Sequence, residues 1–314
     1  MKKILLFGLL CVLSWSAYGQ QESQYTMFMH NKLYFNPAYA GVRGIPSAHI
    51  LYRKQWFGFE GAPESKMISF NTPLSKDRVG FGLNISNHDA GFIRQWIASM
   101  AYSYNIRIND ETSLRVGLQG SMRYYGIDFS DPAFFALDEG DPSVIEATDT
   151  EKYKGNVGAG FYLIHKNFYI GGSSPSILQN SIGFNADNEI RIAQEVPHFY
   201  VMSGMLLELN SSFKLQPALL GKYVQNAPPD LEVNCSLIYE NRVTTGISYR
   251  LGGTGAGESI DIIALYQAGQ LALGMAYDFT ISEFSQHTVG SLEALVRFDF
   301  VKETTKLANP RFFY

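Results

Sequence analysis

The chain is predicted to fold as an all-β protein: a transmembrane antiparallel β-barrel of about fourteen strands, with long loops at one end. Three observations predict this. An export signal opens the chain, segments of alternating polarity fill residues 48–301, and no long apolar helix follows the signal. A bilayer offers no water to exposed backbone groups, so an exported chain spans it as apolar helices or as a closed barrel.

The signal covers residues 1–19. Lys2 and Lys3 carry charge, residues 4–12 are apolar, and Ala17-Tyr18-Gly19 is a small-x-small cleavage site. The apolar stretch is too short to span a membrane. Cys11 lacks the small preceding residue of a lipoprotein site, so lipidation is not expected. Cleavage leaves Cys235 alone, which excludes an intramolecular disulfide and disfavours a thiolate metal site. The net charge of -4, with signs interspersed, provides no basic stripe for nucleic acid. The 19 Tyr, 22 Phe and 29 Gly suit a membrane barrel, but a soluble sandwich favours them too, so patterning has to decide.

Successive strand side chains point to opposite faces. Leu292, Ala294, Val296, Phe298 and Phe300 alternate with Glu293, Arg297 and Asp299, and Leu114, Val116 and Leu118 oppose Arg115, Gln119, Ser121 and Arg123. The same holds from Val79 to Ser86, from Arg242 to Arg250 and from Gln270 to Phe279. Connections separate barrel from sandwich. Tight ones at 74–77, 109–110, 165–166, 210–211, 240–241 and 268–269 alternate with longer ones at 58–64, 87–91, 129–154, 175–196, 225–229, 252–257 and 281–287. Outer-membrane barrels sort tight turns to the periplasm and long loops outside. The first and last connections are long, which predicts an even strand number and both termini in the periplasm.

The expected divisions are a signal peptide (1–19), a periplasmic arm or lumenal plug (20–47), the barrel (48–301, with long loops 128–154 and 175–196) and a periplasmic tail (302–314). Residues 92–108 exceed a spanning strand, predicting an extension above the membrane or a bulge. Pro217 interrupts the strand at 213–224, predicting a bulge or an irregular inward residue. The carboxylates of the acidic loop 128–154 are dense enough to hold calcium, but their spacing matches no EF-hand and the loop reads as solvated; its Phe134 and Phe135 would pack into the barrel mouth or meet a partner.

Catalytic chemistry is absent from the motifs. The six His are scattered without H-E-x-x-H, and no G-x-S-x-G occurs. Residues 252–259 have the glycine spacing of a phosphate loop, but Glu258 stands where Lys is needed and a strand follows instead of a helix. No catalytic, cofactor-binding or metal-ligating residue is assigned, and the chain reads as a non-enzyme. The inward Arg115, Arg123, Arg250, Glu293, Arg297 and Asp299 are expected to form a lumenal polar network. Its role would be structural, or functional in lining a conduit or gripping an inserted peptide.

Four blocks carry a family resemblance: Tyr34-Phe35-Asn36-Pro37-Ala38-Tyr39-Ala40-Gly41; Tyr52-Arg53-Lys54-Gln55-Trp56-Phe57-Gly58-Phe59-Glu60-Gly61-Ala62-Pro63 with Ser69-Phe70-Asn71-Thr72-Pro73-Leu74; Tyr277-Asp278-Phe279 with Gly290-Ser291-Leu292-Glu293; and Asn309-Pro310-Arg311-Phe312-Phe313. In this order they resemble the PorP/SprF family of type IX secretion membrane proteins. The region 128–196 carries little of the pattern beyond Gly171 to Pro175. The resemblance implies a multi-pass barrel in the outer membrane of bacteria that use this export route and, in some lineages, glide. Its implied partners are outer-membrane lipid, machinery components, periplasmic lipoproteins and secreted cargo with a C-terminal sorting domain. It implies neither catalysis nor a cofactor. The rival reading is a passive channel for small or hydrophobic solutes, and a weaker third is a lipid hydrolase.

Overall fold

The computed structural model describes residues 23–75, 77–127, 152–182, 193–252 and 258–300. Fourteen antiparallel strands close into one barrel: β1 (Ser47–Lys54), β2 (Glu64–Leu74), β3 (Val79–Ala90), β4 (Ile93–Arg107), β5 (Thr112–Ile127), β6 (Lys152–His165), β7 (Phe168–Ser174), β8 (His198–Met205), β9 (Phe213–Val224), β10 (Asp230–Tyr239), β11 (Val243–Leu251), β12 (Ser259–Ala268), β13 (Leu271–Thr280) and β14 (Ser291–Asp299). Closure comes from β14 on β1, running from Ser47↔Asp299 to Lys54↔Leu292. No helix among the described residues is long and apolar enough to cross a membrane.

Burial is inverted relative to a soluble core. Leu118 (67%), Met100 (61%) and Ile247 (61%) face outward and exposed, while Glu293 and Asp261 face inward and are fully buried (0%). Water outside would penalise such an apolar belt, whereas lipid accepts it. Aromatics rim the belt at both ends. Trp96, Tyr124 and Tyr153 are consecutive cross-strand neighbours at the upper rim, with Tyr124 and Tyr153 5.2 Å apart. Phe298 and Phe300 (4.9 Å) and Phe213 and Tyr239 (5.0 Å) sit at the lower rim.

Local chemistry sets the lower turns. Asn109 Oδ1 accepts from the amides of Glu111 and Thr112, and Asn210 Oδ1 accepts from those of Ser212 and Phe213. Glu240 and Asn241 both take positive φ (50° and 56°), the pattern of a tight hairpin turn. At the opposite rim, one expectation fails. Residues 87–91 are not a long connection, because Asn87↔Trp96, His88↔Gln95 and Asp89↔Arg94 continue the ladder and leave only Gly91 and Phe92 between β3 and β4. The register of β4 with both neighbours is unbroken, so the excess length of 92–108 is extension and not a bulge.

Pro217 produces no bulge either. The ladder stops at Gly204↔Ala218 and resumes as Leu207↔Leu215, in the same register, with Leu207–Glu208 as an extra two-residue strand. Proline removes a donor without adding a residue, so bonding lapses while alignment persists.

The segment after β7 also departs from its expected place as a purely external loop. β7 ends at Ser174, and the chain continues as a strap against the inner faces of β5 and β6, with Pro175 and Ser176 buried. Gln119 Nε2 donates to the Pro175 carbonyl (3.3 Å), and Arg123 donates to Ser176 Oγ. Asn156 Oδ1 accepts from the amides of Ile177 (3.0 Å) and Leu178 (2.9 Å). These inward polar groups need partners inside the barrel, and the strap supplies them from its backbone and from the Ser176 hydroxyl. The acidic loop, Phe134, Phe135, the 1–19 signal, the 302–314 tail and most of the glycine run 252–257 lie outside the described residues.

Candidate functional site

Residues 23–46 occupy the lumen. They form three short helical turns, Phe28–His30, Lys32–Phe35 and Pro37–Tyr39, too short to be stable alone. Tyr25, Met27, Phe28, Leu33, Phe35, Ala38 and Tyr39 are all buried among inward strand residues. The term plug denotes this lumenal segment.

Its upper end is tied by charge. Glu293 accepts from two consecutive amides, Thr26 N to Oε2 (2.8 Å) and Met27 N to Oε1 (2.9 Å). Thr26 Oγ1 donates to Asp278 (2.7 Å to Oδ1) and accepts from Arg53 NH1 (2.8 Å) and Arg250 NH2 (3.2 Å). Arg53 completes the group with ion pairs to Asp278 (2.7 Å) and Glu293 (3.2 Å). Arg250 pairs with Glu232 (3.2 Å) and lies 3.6 Å from Asp261. The cross-strand pairs Glu232↔Arg250, Asp261↔Asp278 and Arg53↔Glu293 place these groups on one inward belt. Buried ions of this kind are tolerated only when paired and hydrogen-bonded.

Its lower end is seated by close backbone approach. Inward Gly80, Gly117 and Gly160, on β3, β5 and β6, leave room that a methyl group would take from the Ala40 carbonyl, the Ala38 backbone and the Asn36 side chain respectively. Asn36 itself caps the third helical turn, accepting from Ala38 N (2.9 Å), and donates to the Phe161 carbonyl (2.9 Å). Gly41 N reaches Asn71 Oδ1 (2.6 Å), and Arg43 pairs with Asp299 (3.0 Å). Between the two ends Lys32 Nζ lies over the Tyr169 ring (4.1 Å) and near that of Tyr39 (5.5 Å). Lys32 and His30 belong to the plug and not to a spanning strand. Desolvation holds the Lys32 ammonium well below its ordinary pKa, with Arg43 adding to the effect. It likewise pushes His30 down to about 3, helped by Arg297, Lys32 and Arg43.

All six residues of the expected network point inward and are buried, but they do not form one network. Arg250 and Glu293 join the Thr26 belt, while Arg297 bonds Asp299 (3.2 Å) near Arg43. Arg115 donates to the carbonyls of Ala40 (3.2 Å) and Asp77 (3.0 Å), and Arg123 lies with Ser176 and Glu195. The sequence reading missed Thr26, Arg43 and Asp261 as lumenal partners, since their contacts join segments more than 200 positions apart or lie across strands. Below the plug, Val42 and Arg115 border a vestibule of about 530 Å³ at the tight-turn rim, with Asp77, Arg107, Glu111 and Lys166 around it.

The family model described as "Type IX secretion system membrane protein PorP/SprF" matches residues 17–298. The chain belongs to the PorP/SprF family. In this PorP/SprF protein the signature residues Asn36, Pro37, Tyr39 and Gly41 lie in the plug. Tyr52 and Arg53 lie near the end of β1, Arg53 in the plug's anchor, while Gln55 and Trp56 open the first loop, where Gln55 N bonds the Pro63 carbonyl (2.9 Å). Asn309, Pro310 and Arg311 lie outside the described residues. Comparison with curated protein sequences finds no match. Among solved structures, the toluene transporter TbuX of Ralstonia pickettii superposes on this PorP/SprF barrel with TM-score 0.51 at 11% identity, over 86% of this chain and 93% of that one. The monoaromatic hydrocarbon channel CymD gives 0.50 at 9% identity, over 86% and 91%. Such likeness establishes the outer-membrane barrel fold and carries no ligand with it.

Proposed function

We propose that this PorP/SprF barrel is an outer-membrane component of the type IX secretion machinery that docks cargo bearing C-terminal sorting domains for export or surface attachment, and that it serves gliding in lineages that glide. Residues 1–19 deliver it to the envelope as a cleaved signal. The tight-turn rim faces the periplasm, where machinery subunits and lipoproteins meet it, and the long loops face outward toward cargo. Family membership supports the secretion role. The observation that carries docking over passage is the lumen occupied by residues 23–46, held at one end by hydrogen bonds from Thr26 and Met27 to buried Asp278 and Glu293, at the other by the buried Arg43–Asp299 ion pair, and seated on glycines.

Two measurements test the reading. Affinity purification from a native envelope should recover a large surface protein with a sorting domain together with machinery subunits. The purified barrel in planar bilayers should hold near-baseline current, and deletion of residues 23–45 should open steady unitary conductance. Large steady currents through the intact protein would return the passive channel to first place.

A further inference from the structure

The plug has a direction. Its first described residues sit at the long-loop rim: Ser23 Oγ lies 2.8 Å from His88 Nδ1 and accepts from Ser65 Oγ (3.3 Å), and Gln24 Nε2 donates to Asp230 Oδ2 (3.2 Å). Ser65 stands one residue into β2, His88 two residues before the end of β3, and Asp230 opens β10, all at that rim. Thr26 is bonded at the level of Arg53 and Asp278, Leu33 O at Asn84, and Asn36 at Phe161. Gly41 meets Asn71 and Arg43 meets Asp299 at the tight-turn rim, where Phe300 N bonds the Pro46 carbonyl (2.9 Å) and β1 begins. The segment therefore descends the full lumen before the first strand starts.

We propose that the plug is threaded outward, so that Ser23 and Gln24 open at the cell surface among the long loops, not in the periplasm, and contribute to the face presented to cargo. This rests on the outward orientation of the long loops given above. It differs from the expectation that both termini are periplasmic, since only the start of β1 and the end of β14 share the tight-turn rim. The physical basis is that, among the described residues, the side chains of Ser23 and Gln24 bond rim residues of the long-loop end, while the lower contacts are made by later residues in order. Reversing the thread would break the buried Thr26 belt and the glycine seat together.

Three single-cysteine variants made in a Cys235→Ala background decide it, probed in intact cells with a membrane-impermeant sulfonated maleimide. Ser23→Cys tests the plug, Gln225→Cys reports the long-loop rim and Ser211→Cys the tight-turn rim. The expected result is labelling of Ser23→Cys and Gln225→Cys in intact cells, with Ser211→Cys labelled only after the outer membrane is permeabilised. An epitope inserted immediately before Ser23 should bind antibody on intact cells. If Gln225→Cys labels while Ser23→Cys labels only after permeabilisation or denaturation, and the epitope stays hidden, the threading is overturned and the orientation stands. If Ser211→Cys labels in intact cells and Gln225→Cys does not, the orientation fails and the threading proposal with it.

Discussion

At the scale of single residues, the plug is held by a few groups that cannot be exchanged independently. Arg53 serves Asp278, Glu293 and Thr26 at once, all of them buried. Arg53→Met removes the nearest cation from two buried carboxylates, leaving Asp278 its longer pair to Arg250 (3.6 Å), and the expected cost is about 3–5 kcal/mol. Thr26→Val removes one hydroxyl and should cost about 1–3 kcal/mol. Thermal unfolding of the purified barrels in detergent reads both, and equal losses would mean that Arg53 is not the keystone. The glycine seat makes a second comparison. Gly117→Val drives side-chain atoms into the Ala38 backbone, whereas outward Gly120 has no atom within 4 Å of where a Cβ would sit. Gly117→Val should destabilise by at least about 1–3 kcal/mol and unseat the plug, with Gly120→Val close to neutral. Matching melting curves for the two would remove the seat from the account.

The plug as an element has no periodicity of its own and relies on the wall around it, so acid should loosen it. His30 has Nε2 sealed from water without a partner among the described residues, and its pKa falls to about 3 in the folded protein. Unfolded, the ring titrates near ~6.5, so the unfolded chain binds an extra proton between those values. The stability is fully present above the unfolded value and declines as pH falls below it, by up to ~1.4 kcal/mol per pH unit from this one group. His30→Asn should flatten that decline between pH 7 and pH 4.5. Parallel pH profiles for the wild type and the variant would show that His30 is not kept neutral. The strap at 175–180 is a second such element. The barrel wall loses a strand above Ser174, and Asn156 and Gln119 bond the strap backbone while Arg123 bonds the strap's Ser176 hydroxyl.

On the scale of the whole molecule, the inverted burial makes the surrounding lipid part of the fold. Leu118 lies midway along the outward row of β5, between Val116 and Met122. Leu118→Arg places charge near the middle of the apolar belt and should cost about 2–4 kcal/mol. Refolding titrations into vesicles would measure it, and a loss under roughly 0.5 kcal/mol, as expected for an ordinary solvent-exposed surface position, would argue against a lipid-facing belt. The plug completes this architecture by giving the inward charges partners that a water-filled lumen would otherwise have to supply.

Strand existence, the inside-out polarity and the even strand number were legible in the sequence because each is local: period-two alternation and turn chemistry at Asn109, Asn210 and Glu240-Asn241 need no distant partner. Signature blocks named the family for the same reason, as contiguous text. Tertiary structure alone decided where residues 23–46 go, since their burial comes from walls built tens to hundreds of positions later. It alone revealed why Tyr34 to Gly41 has its composition, because Gly80, Gly117 and Gly160 read in isolation as ordinary small residues. It also divided the inward charges into separate groups, pairing Thr26 with Asp278 across 252 positions and Arg43 with Asp299 across 256. Alternation tells which way a side chain points; only closure of the barrel brings the opposite wall and the plug within reach of it.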